Sequence, residues 1–369
     1  MSDPDFTNDT IAIAGVGLIG GSLGLAFKRA GIGKRIIGIS RAKTIDRAIA
    51  SGAVDDGVPY ESLSSASAQA DVLFLCTPIL RILEMLPETL EHSKAGCIVT
   101  DVGSTKAAVV AAATDTGRTD VTFIGGHPMA GSEWKGVDAA DPFLFQNAIY
   151  VLTPPEGCDR EPVDRLGAMV TRVGAHVIEM APDTHDRMAA AISHVPQIMA
   201  TALVGLVGQM NEKDGLALKM AAGGFRDMTR IASSPYAMWR DICQTNAVPI
   251  RETIDAYVAA LNVVKDRIED PSLEQSFSYA NDVRDRIPKD SKGFLNPLSE
   301  LMLVVEDKPG VIAEVATALA NADINIRDIE VLKVREGEGG SIRLGLSSDE
   351  DRQKGSRIVT DLGYTVLSR

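Results

Sequence analysis

A glycine-rich stretch near the start of the chain constrains the fold more than any other feature. Residues 15–20 read Gly-Val-Gly-Leu-Ile-Gly, follow the alternating strand pattern of 10–14 and precede a helical pattern at 22–30. In a Gly-x-Gly-x-x-Gly motif the three glycines permit a tight turn, close approach of a phosphate, and packing of helix on strand, and the helix N-terminus binds phosphate. The chain therefore predicts an α/β, Rossmann-like dinucleotide-binding domain over 1–182. The candidate cofactor residues of this loop are Gly15, Gly17, Leu18, Ile19 and Gly20.

The end of the second predicted strand, 35–39, bears on the choice between NAD and NADP. An Asp or Glu usually stands there and binds the ribose hydroxyls of NAD. This chain has Ser40 and Arg41 instead, and a hydroxyl with a guanidinium suits a 2′-phosphate, which favours NADP. Arg41 stacking on adenine or facing solvent is the alternative, so the cofactor is NAD or NADP. Thr77 and Pro78 close the next buried strand and are further cofactor-binding candidates.

Two later strands also end in polar groups. We expect these groups to face the crevice that holds the cofactor, because strand C-termini line the ligand site of an open α/β sheet. After the strand at 96–100, Ser104 and Lys106 stand before a helix, where Ser104 is either a site residue or a helix N-cap. After the run at 121–124 come two glycines and His127, with a tight loop beyond it. The unperturbed pKa of His, about 6.5, suits proton transfer near neutrality. His127 is thus a candidate general base, and a capping or core histidine is the plainer interpretation.

Composition narrows the class of protein. The 369-residue chain has a formal charge of −13, which argues against nucleic acid or an anionic membrane as a partner. Its 4 cysteines are scattered without a Cys-x-x-Cys pair, so neither a disulfide framework nor a metal site is expected. The first ten residues are short and polar, without a signal peptide pattern. We expect a soluble, cytoplasmic protein that does not bind a membrane, although 188–210 is a long apolar stretch.

From residue 183 to about 288 only helical patterns occur, which predicts an all-α domain. Its apolar stretch carries His194 and is too extensive for one small helical lobe to cover, so a homodimer is expected. Arg226 and Arg230, four residues apart on a predicted helix, would share a face and suit an anionic ligand.

A polar linker is predicted at 289–298, followed by a compact unit at 299–369. Its patterns run strand, helix, strand, strand, helix, strand, which is the ferredoxin-like βαββαβ plan.

Six motifs in this order resemble the prephenate dehydrogenase family of tyrosine biosynthesis, in the bacterial form with a C-terminal ACT domain. They are Gly-Leu-Ile-Gly-Gly-Ser (17–22), Asp-Val-Gly-Ser-Thr-Lys (101–106), Gly-Gly-His-Pro-Met-Ala-Gly-Ser (125–132), Ile-Ser-His (192–194), Gly-Gly-Phe-Arg-Asp-Met-Thr-Arg-Ile-Ala (223–232) and Met-Trp-Arg-Asp (238–241). The resemblance implies NAD(P)-dependent oxidative decarboxylation of prephenate. It also implies that His127 and Ser104 contact the ring hydroxyl, that His194 lines the pocket and that Arg230 binds a carboxylate. The further substrate-binding candidates are Arg226, Ser132, Glu133 and Trp239.

Two alternatives stay open. Arogenate, whose side chain carries an amino group, would require a carboxylate aimed at that group. A non-catalytic dinucleotide sensor would need the glycine loop but not the later site residues. In the ACT-like unit, Gly310 and Asn325 match positions that bind an amino acid, so tyrosine is the expected effector, and a module that only dimerises is the alternative.

Overall fold

The computed structural model describes residues 4–131, 134–287, 298–306, 308–335 and 339–367. The chain forms two compact units, Met1–Ser278 and Tyr279–Arg369. The candidates Ser132 and Glu133, and most of the predicted linker, lie outside the described residues.

An eight-stranded sheet forms the centre of the first unit, with strand order β3-β2-β1-β4-β5-β6-β7-β8. Its strands are β1 Thr10–Ala14, β2 Arg35–Ile39, β3 Asp56–Val58, β4 Val72–Leu75, β5 Ile98–Asp101, β6 Thr122–Pro128, β7 Ile149–Thr153 and β8 His176–Glu179. Strands β1 to β6 pair in parallel, whereas β7 runs antiparallel to β6 and β8 is parallel to β7. This is the predicted Rossmann-like sheet extended at one edge.

Helices cover this sheet. They are α1 Leu18–Ala30, α2 Ala42–Ala50, α3 Leu63–Ser67, α4 Ile79–His92, α5 Ala107–Asp115 and α6 Arg160–Arg172. Two separate apolar clusters pack around the strands, and β1 and β4 are buried at every position. Because both faces of the sheet are covered, the sequences of these strands are continuous apolar runs.

The rest of the first unit is helical, as predicted. It contains α7 Pro182–Ala189, a π-helical turn Ala190–His194, α8 Val195–Asp214, α9 Gly223–Thr229, a 3-10 turn Arg230–Ser233, α10 Tyr236–Thr245 and α11 Ala247–Asp266. Helix α12, Leu273–Arg286, begins in the first unit and ends in the second. Pro196 sits in the first turn of α8, where its missing N–H costs nothing. The helix predicted through Arg226 and Arg230 ends at Thr229, so the two guanidiniums do not share one regular helix face.

Helix α8 is apolar but poorly covered. The segment Pro182–Lys213 is long and apolar enough to cross a membrane by length and composition, and only 28% of its apolar window is buried. Large exposed side chains continue over the neighbouring elements, among them Leu206, Met210, Leu218, Met220, Met228 and Tyr236. Such an apolar face is the mark of an interaction surface.

The second unit has the predicted ferredoxin-like order. It contains β9 Ser299–Val305, α13 Val311–Asn321, β10 Ile326–Arg335, β11 Gly339–Leu346, α14 Asp349–Asp361 and β12 Thr365–Leu367. The sheet order is β10-β11-β9-β12, and all its neighbours pair antiparallel. Leu303, Leu344 and Leu319 are fully buried between the sheet and its helices.

Candidate active site

The glycine loop has the shape that a dinucleotide requires. Gly15 has φ +98°, and a Cβ there would come within 2.7 Å of the backbone of Cys76 and 2.9 Å of Thr77 Cγ2. A Cβ on Gly20 would lie 2.3 Å from Gly15 O. Both positions therefore admit only glycine, and they bring the β1 and β4 ends together with α1.

Gly17 is different, because a Cβ built there meets nothing within 4 Å. It is the N-cap of α1, which begins at Leu18, four residues before the predicted start. The amides of Leu18, Ile19 and Gly20 lie in the first turn, where a helix has no internal acceptors for them. Open space beside free amides at a positive helix end fits a pyrophosphate group.

The adenosine end of the crevice carries no carboxylate after β2. Ser40 is buried, whereas Arg41 is exposed at the N-cap of α2 and makes no ion pair with any described residue. Thr77 borders the glycine loop, and Pro78 is the N-cap of α4. The residues predicted to bind the cofactor thus line the C-terminal ends of β1, β2 and β4.

A buried ion pair connects the ends of β5 and β6. Lys106 Nζ contacts Asp101 Oδ2 and donates to Gly126 O at 2.7 Å, and both side chains are fully buried. Asp101 Oδ1 accepts from Gly126 N at 3.1 Å. Burial lowers the pKa of Lys106, and the Asp101 carboxylate opposes that shift. The pair holds the backbone immediately before His127.

His127 lies within β6, so the strand continues past the two glycines at which the sequence pattern predicted its end. The strand continues to Pro128 because His127 pairs with Val151 of the antiparallel strand β7. His127 Nδ1 is 2.8 Å from His185 Nε2, and His185 Nδ1 is 2.8 Å from Asp186 Oδ1. His127 Nε2 makes no hydrogen bond with a described residue, and the ring is partly exposed.

The surroundings of His127 keep its ring neutral. Burial is the largest cause that lowers its pKa well below 6.5, followed by the charge of Lys106 and by His185 and His194. A neutral imidazole with one unengaged nitrogen can accept a proton at neutral pH.

His194 closes the crevice from the helical side. Its Nδ1 lies 3.1 Å from Asn246 Nδ2, which also donates to Asp186 O at 2.8 Å. The Trp239 ring meets the His194 ring edge-on, with centroids 6.1 Å apart. Burial lowers the pKa of His194 to about 4, while Asp186 acts in the opposite direction. Trp239 also lines an apolar cavity of about 380 Å³ beside α8.

Ser104 is not a helix N-cap, contrary to one of the two predicted roles. Helix α5 begins at Ala107, and its first amides donate to Asp186: Lys106 N to Oδ1 at 2.7 Å and Ala107 N to Oδ2 at 2.9 Å. Ser104 is partly exposed and makes no hydrogen bond with a described residue. Its hydroxyl is therefore available in the loop between Asp101 and Lys106.

Arg226 and Arg230 are exposed on the helical part of the chain. Their elements pack on α8, not on β6. The structure thus brings His194 close enough to His127 to lower the pKa of that ring, and it places Ser104 in the loop before Lys106, whose side chain donates to Gly126 O.

Sequence reasoning missed His185, Asp186 and Asn246. The sequence at 183–186 is typical of a helix start and does not single out His185 or Asp186, and the π-helical turn that follows gives no signal in the apolar periodicity. The available signal was the His-Asp pair itself, which recurs in many proton-transfer sites and is buried here, with exposures of 3% and 1%.

The second unit contains a separate cavity of about 520 Å³. Gly310, with φ +98°, lines it at the turn between β9 and α13, together with apolar residues of α13 and the sheet. Asn325 is exposed and is not among the described lining residues.

Known proteins match this architecture domain by domain. Family models match for the prephenate dehydrogenase nucleotide-binding domain over residues 23–179, its dimerization domain over 181–281 and the ACT domain over 299–354. A prephenate dehydrogenase of Bacillus subtilis (strain 168) is 40% identical over 359 residues, which are 95% of this chain and 95% of that protein.

Two solved structures resemble three quarters of the chain. Prephenate dehydrogenase from A. aeolicus, in complex with hydroxyphenyl propionate and NAD+, has a TM-score of 0.68 at 30% identity and covers 75% of this chain and 96% of its own. Synechocystis arogenate dehydrogenase has a TM-score of 0.67 at 33% identity and covers 75% and 99%. The chain belongs to the prephenate dehydrogenase family, in the form that carries an ACT domain.

Proposed function

We propose that this protein catalyses the NAD(P)-dependent oxidative decarboxylation of prephenate to 4-hydroxyphenylpyruvate. The observation that carries the proposal is His127: its Nδ1 is hydrogen-bonded to His185, and its Nε2, at the end of β6, makes no hydrogen bond with a described residue. The glycine loop follows β1, and β1 is connected to β6, which carries His127, through the paired strands β4 and β5.

The chemistry requires an acceptor for one proton and one hydride. The hydroxyl proton of the ring carbinol passes to His127 Nε2 as the carbinol C–H bond breaks and C=O forms. The cofactor supplies the hydride acceptor. The ring carboxylate then leaves as CO2, its bonding electrons complete the aromatic ring, and the phenolate oxygen that forms takes the proton back from His127.

The chain's other groups hold the substrate. The Ser104 hydroxyl binds the carbinol oxygen, and His194 with Trp239 lines the ring pocket. Arg230 binds a substrate carboxylate by a charge-assisted hydrogen bond, with Arg226, Ser132 and Glu133 as further contacts.

We propose a homodimer, because α8 and its neighbours expose an apolar face within the region that matches the dimerization domain. We further propose that the protein is soluble and cytoplasmic and that tyrosine binds the cavity beside Gly310 and lowers activity.

Arogenate is the competing substrate, since an arogenate dehydrogenase is among the structural relatives. Initial rates with prephenate and arogenate, each with NAD and with NADP, decide between them. We expect a higher kcat/KM for prephenate with either cofactor. Turnover of arogenate alone would overturn the assignment, and no turnover of either substrate would favour a non-catalytic sensor.

A further inference from the structure

We infer that His185 and Asp186 are positioning residues that fix the proton of His127 on Nδ1 and leave Nε2 as the base. The inference deepens the proposed function by naming what selects the reactive tautomer. It depends on two hydrogen bonds that connect the Asp186 carboxylate, through His185, to the ring of His127.

Asp186 determines which group donates and which accepts in this series of hydrogen bonds. Its carboxylate receives three N–H groups: His185 Nδ1 at 2.8 Å, Lys106 N at 2.7 Å and Ala107 N at 2.9 Å. The two backbone groups can only donate. Asp186 is therefore an acceptor at each contact, held by the first turn of α5.

His185 extends the same order of donor and acceptor to His127. Because Nδ1 donates to Asp186, the Nε2 of the neutral ring carries a lone pair. That lone pair faces His127 Nδ1 at 2.8 Å, so His127 Nδ1 must be the donor. The remaining nitrogen of His127, Nε2, is then unprotonated, as a general base requires.

The same contacts stabilise the ring after it accepts a proton. Protonated His127 still donates through Nδ1 to His185, and this bond offsets part of the repulsion from Lys106 and His194, which disfavour the protonated ring. The rings of His127 and His185 meet edge-on at 72°, which places the two nitrogens along the hydrogen bond. The Asp186 side chain thus orients the base through one intermediate ring.

Two substitutions of His185 test the inference as a matched pair. In His185→Gln the amide oxygen reaches the former Nε2 position and can still accept from His127. In His185→Asn the amide replaces only Nδ1, keeps its bond to Asp186 and the cap of α5, and no longer reaches His127. We expect kcat for prephenate to fall about tenfold in His185→Gln and roughly 10²-fold or more in His185→Asn, with KM and cofactor affinity changed less than twofold.

Asp186→Asn is a weaker test. Either orientation of its amide places an NH2 group against a backbone N–H of α5, so a loss of activity there also reports damage to the helix start. His176→Asn is the better control, since His176 lies on β8, outside these contacts, and should leave kcat unchanged.

The tautomer itself gives a readout that is independent of turnover. The chain has 5 histidines, so ¹⁵N spectra of histidine-labelled protein at neutral pH can assign each ring. We expect a protonated Nδ1 and an unprotonated Nε2 at His127 in the wild type and His185→Gln, and loss of that tautomer in His185→Asn.

A protonated Nε2 at His127 in the wild type, or wild-type kcat in a folded His185→Asn, would overturn the inference. Equal losses in the two His185 variants with an unchanged His127 tautomer would also overturn it, because only packing would then be at stake. If the wild type turned over neither prephenate nor arogenate, the proposed function would fail while the ¹⁵N result still stood.

Discussion

At the scale of single residues, the crevice gathers His127, His185, His194 and Lys106 close together, so a proton on one ring disfavours a proton on the next. Burial adds to this effect by penalising the charged form. The rings of His127 and His194 therefore stay neutral in a pH range where an exposed histidine would be charged. This explains why a group of weak bases can serve a reaction that needs an unprotonated nitrogen with an available lone pair.

The first prediction concerns the acid side of the pH–rate profile. The base form of His127 is neutral, and its pKa is lowered, so protonation begins only at a pH below 6.5. We expect kcat to stay constant as the pH falls through 6.5 and to decline at lower pH. Steady-state rates between pH 4 and pH 8 measure this, and a limb centred at 6.5 or above would contradict it.

His127→Asn removes Nε2, the proposed base, and keeps a polar amide near the position of Nδ1. We expect kcat to fall by roughly 10²–10⁴, the usual contribution of a general base, with unchanged cofactor affinity by calorimetry. An unaltered kcat would show that the proton goes elsewhere.

Arg230→Ala tests the substrate contact. Loss of one charge-assisted hydrogen bond to a carboxylate corresponds to about 1.5–3 kcal/mol, so KM for prephenate should rise about 10- to 150-fold. Cofactor affinity should stay the same. Weaker NAD(P) binding in this variant would instead assign Arg230 to the cofactor half of the crevice.

At the scale of elements, α2 bears on the choice of cofactor. Arg41 lies exposed at its N-cap, directly after Ser40. Because only NADP has a 2′-phosphate, Arg41→Ala should weaken NADP binding more than NAD binding. Dissociation constants for both cofactors measure the difference, with Lys43→Ala, an exposed lysine in the first turn of α2, as the matched control. Equal losses for the two cofactors would mean that Arg41 only stacks on adenine.

The π-helical turn is the second decisive element. His185 and His194 are nine residues apart, and in a regular α-helix they would lie about half a turn apart, on opposite faces. The turn Ala190–His194 takes in an extra residue and brings the two rings nearer the same side. Both histidines thereby lie close to His127, as their effects on its pKa require.

At the scale of the whole molecule, the exposed apolar face predicts a dimer in solution. Leu206 on α8 is 56% exposed. We expect Leu206→Glu to shift the protein toward monomer in sedimentation velocity at low micromolar concentration, because a charge would be buried at the contact. Ile49→Glu on α2, at a residue 43% exposed, should leave the dimer intact. A wild-type monomer at this concentration would rule the dimer out.

Tyrosine regulation also belongs to this scale. Ala316→Phe should fill part of the cavity beside Gly310 and abolish tyrosine binding and inhibition in the full-length chain, whereas Ala320→Phe, on the same helix outside the lining, should not. Calorimetry and inhibition assays measure both effects. If tyrosine lowers prephenate affinity, prephenate must lower tyrosine affinity equally. Unchanged inhibition in Ala316→Phe, competitive with prephenate, would place tyrosine in the active site instead.

Much of the fold could be predicted from the sequence because its signals are local. The glycine loop, the apolar strand runs and the βαββαβ order each depend on residues that are neighbours in the chain, and α13 begins and ends as its pattern indicates. Likewise His127 could be proposed as a base from the strand end that carries it. Backbone conformation and burial are encoded within such short windows.

Which residues contact one another in the site was decided only by the tertiary structure. His127 and His185 are 58 residues apart, and Ala107 and Asp186 are 79 apart, so no local pattern reports that they meet. The strand through His127 depends on β7, and the helical phase between His185 and His194 depends on a π-helical turn. Which nitrogen of His127 carries the proton depends, in our inference, on a carboxylate that acts through one intermediate ring, because hydrogen-bond direction is set by the groups that pack together and not by those adjacent in the chain.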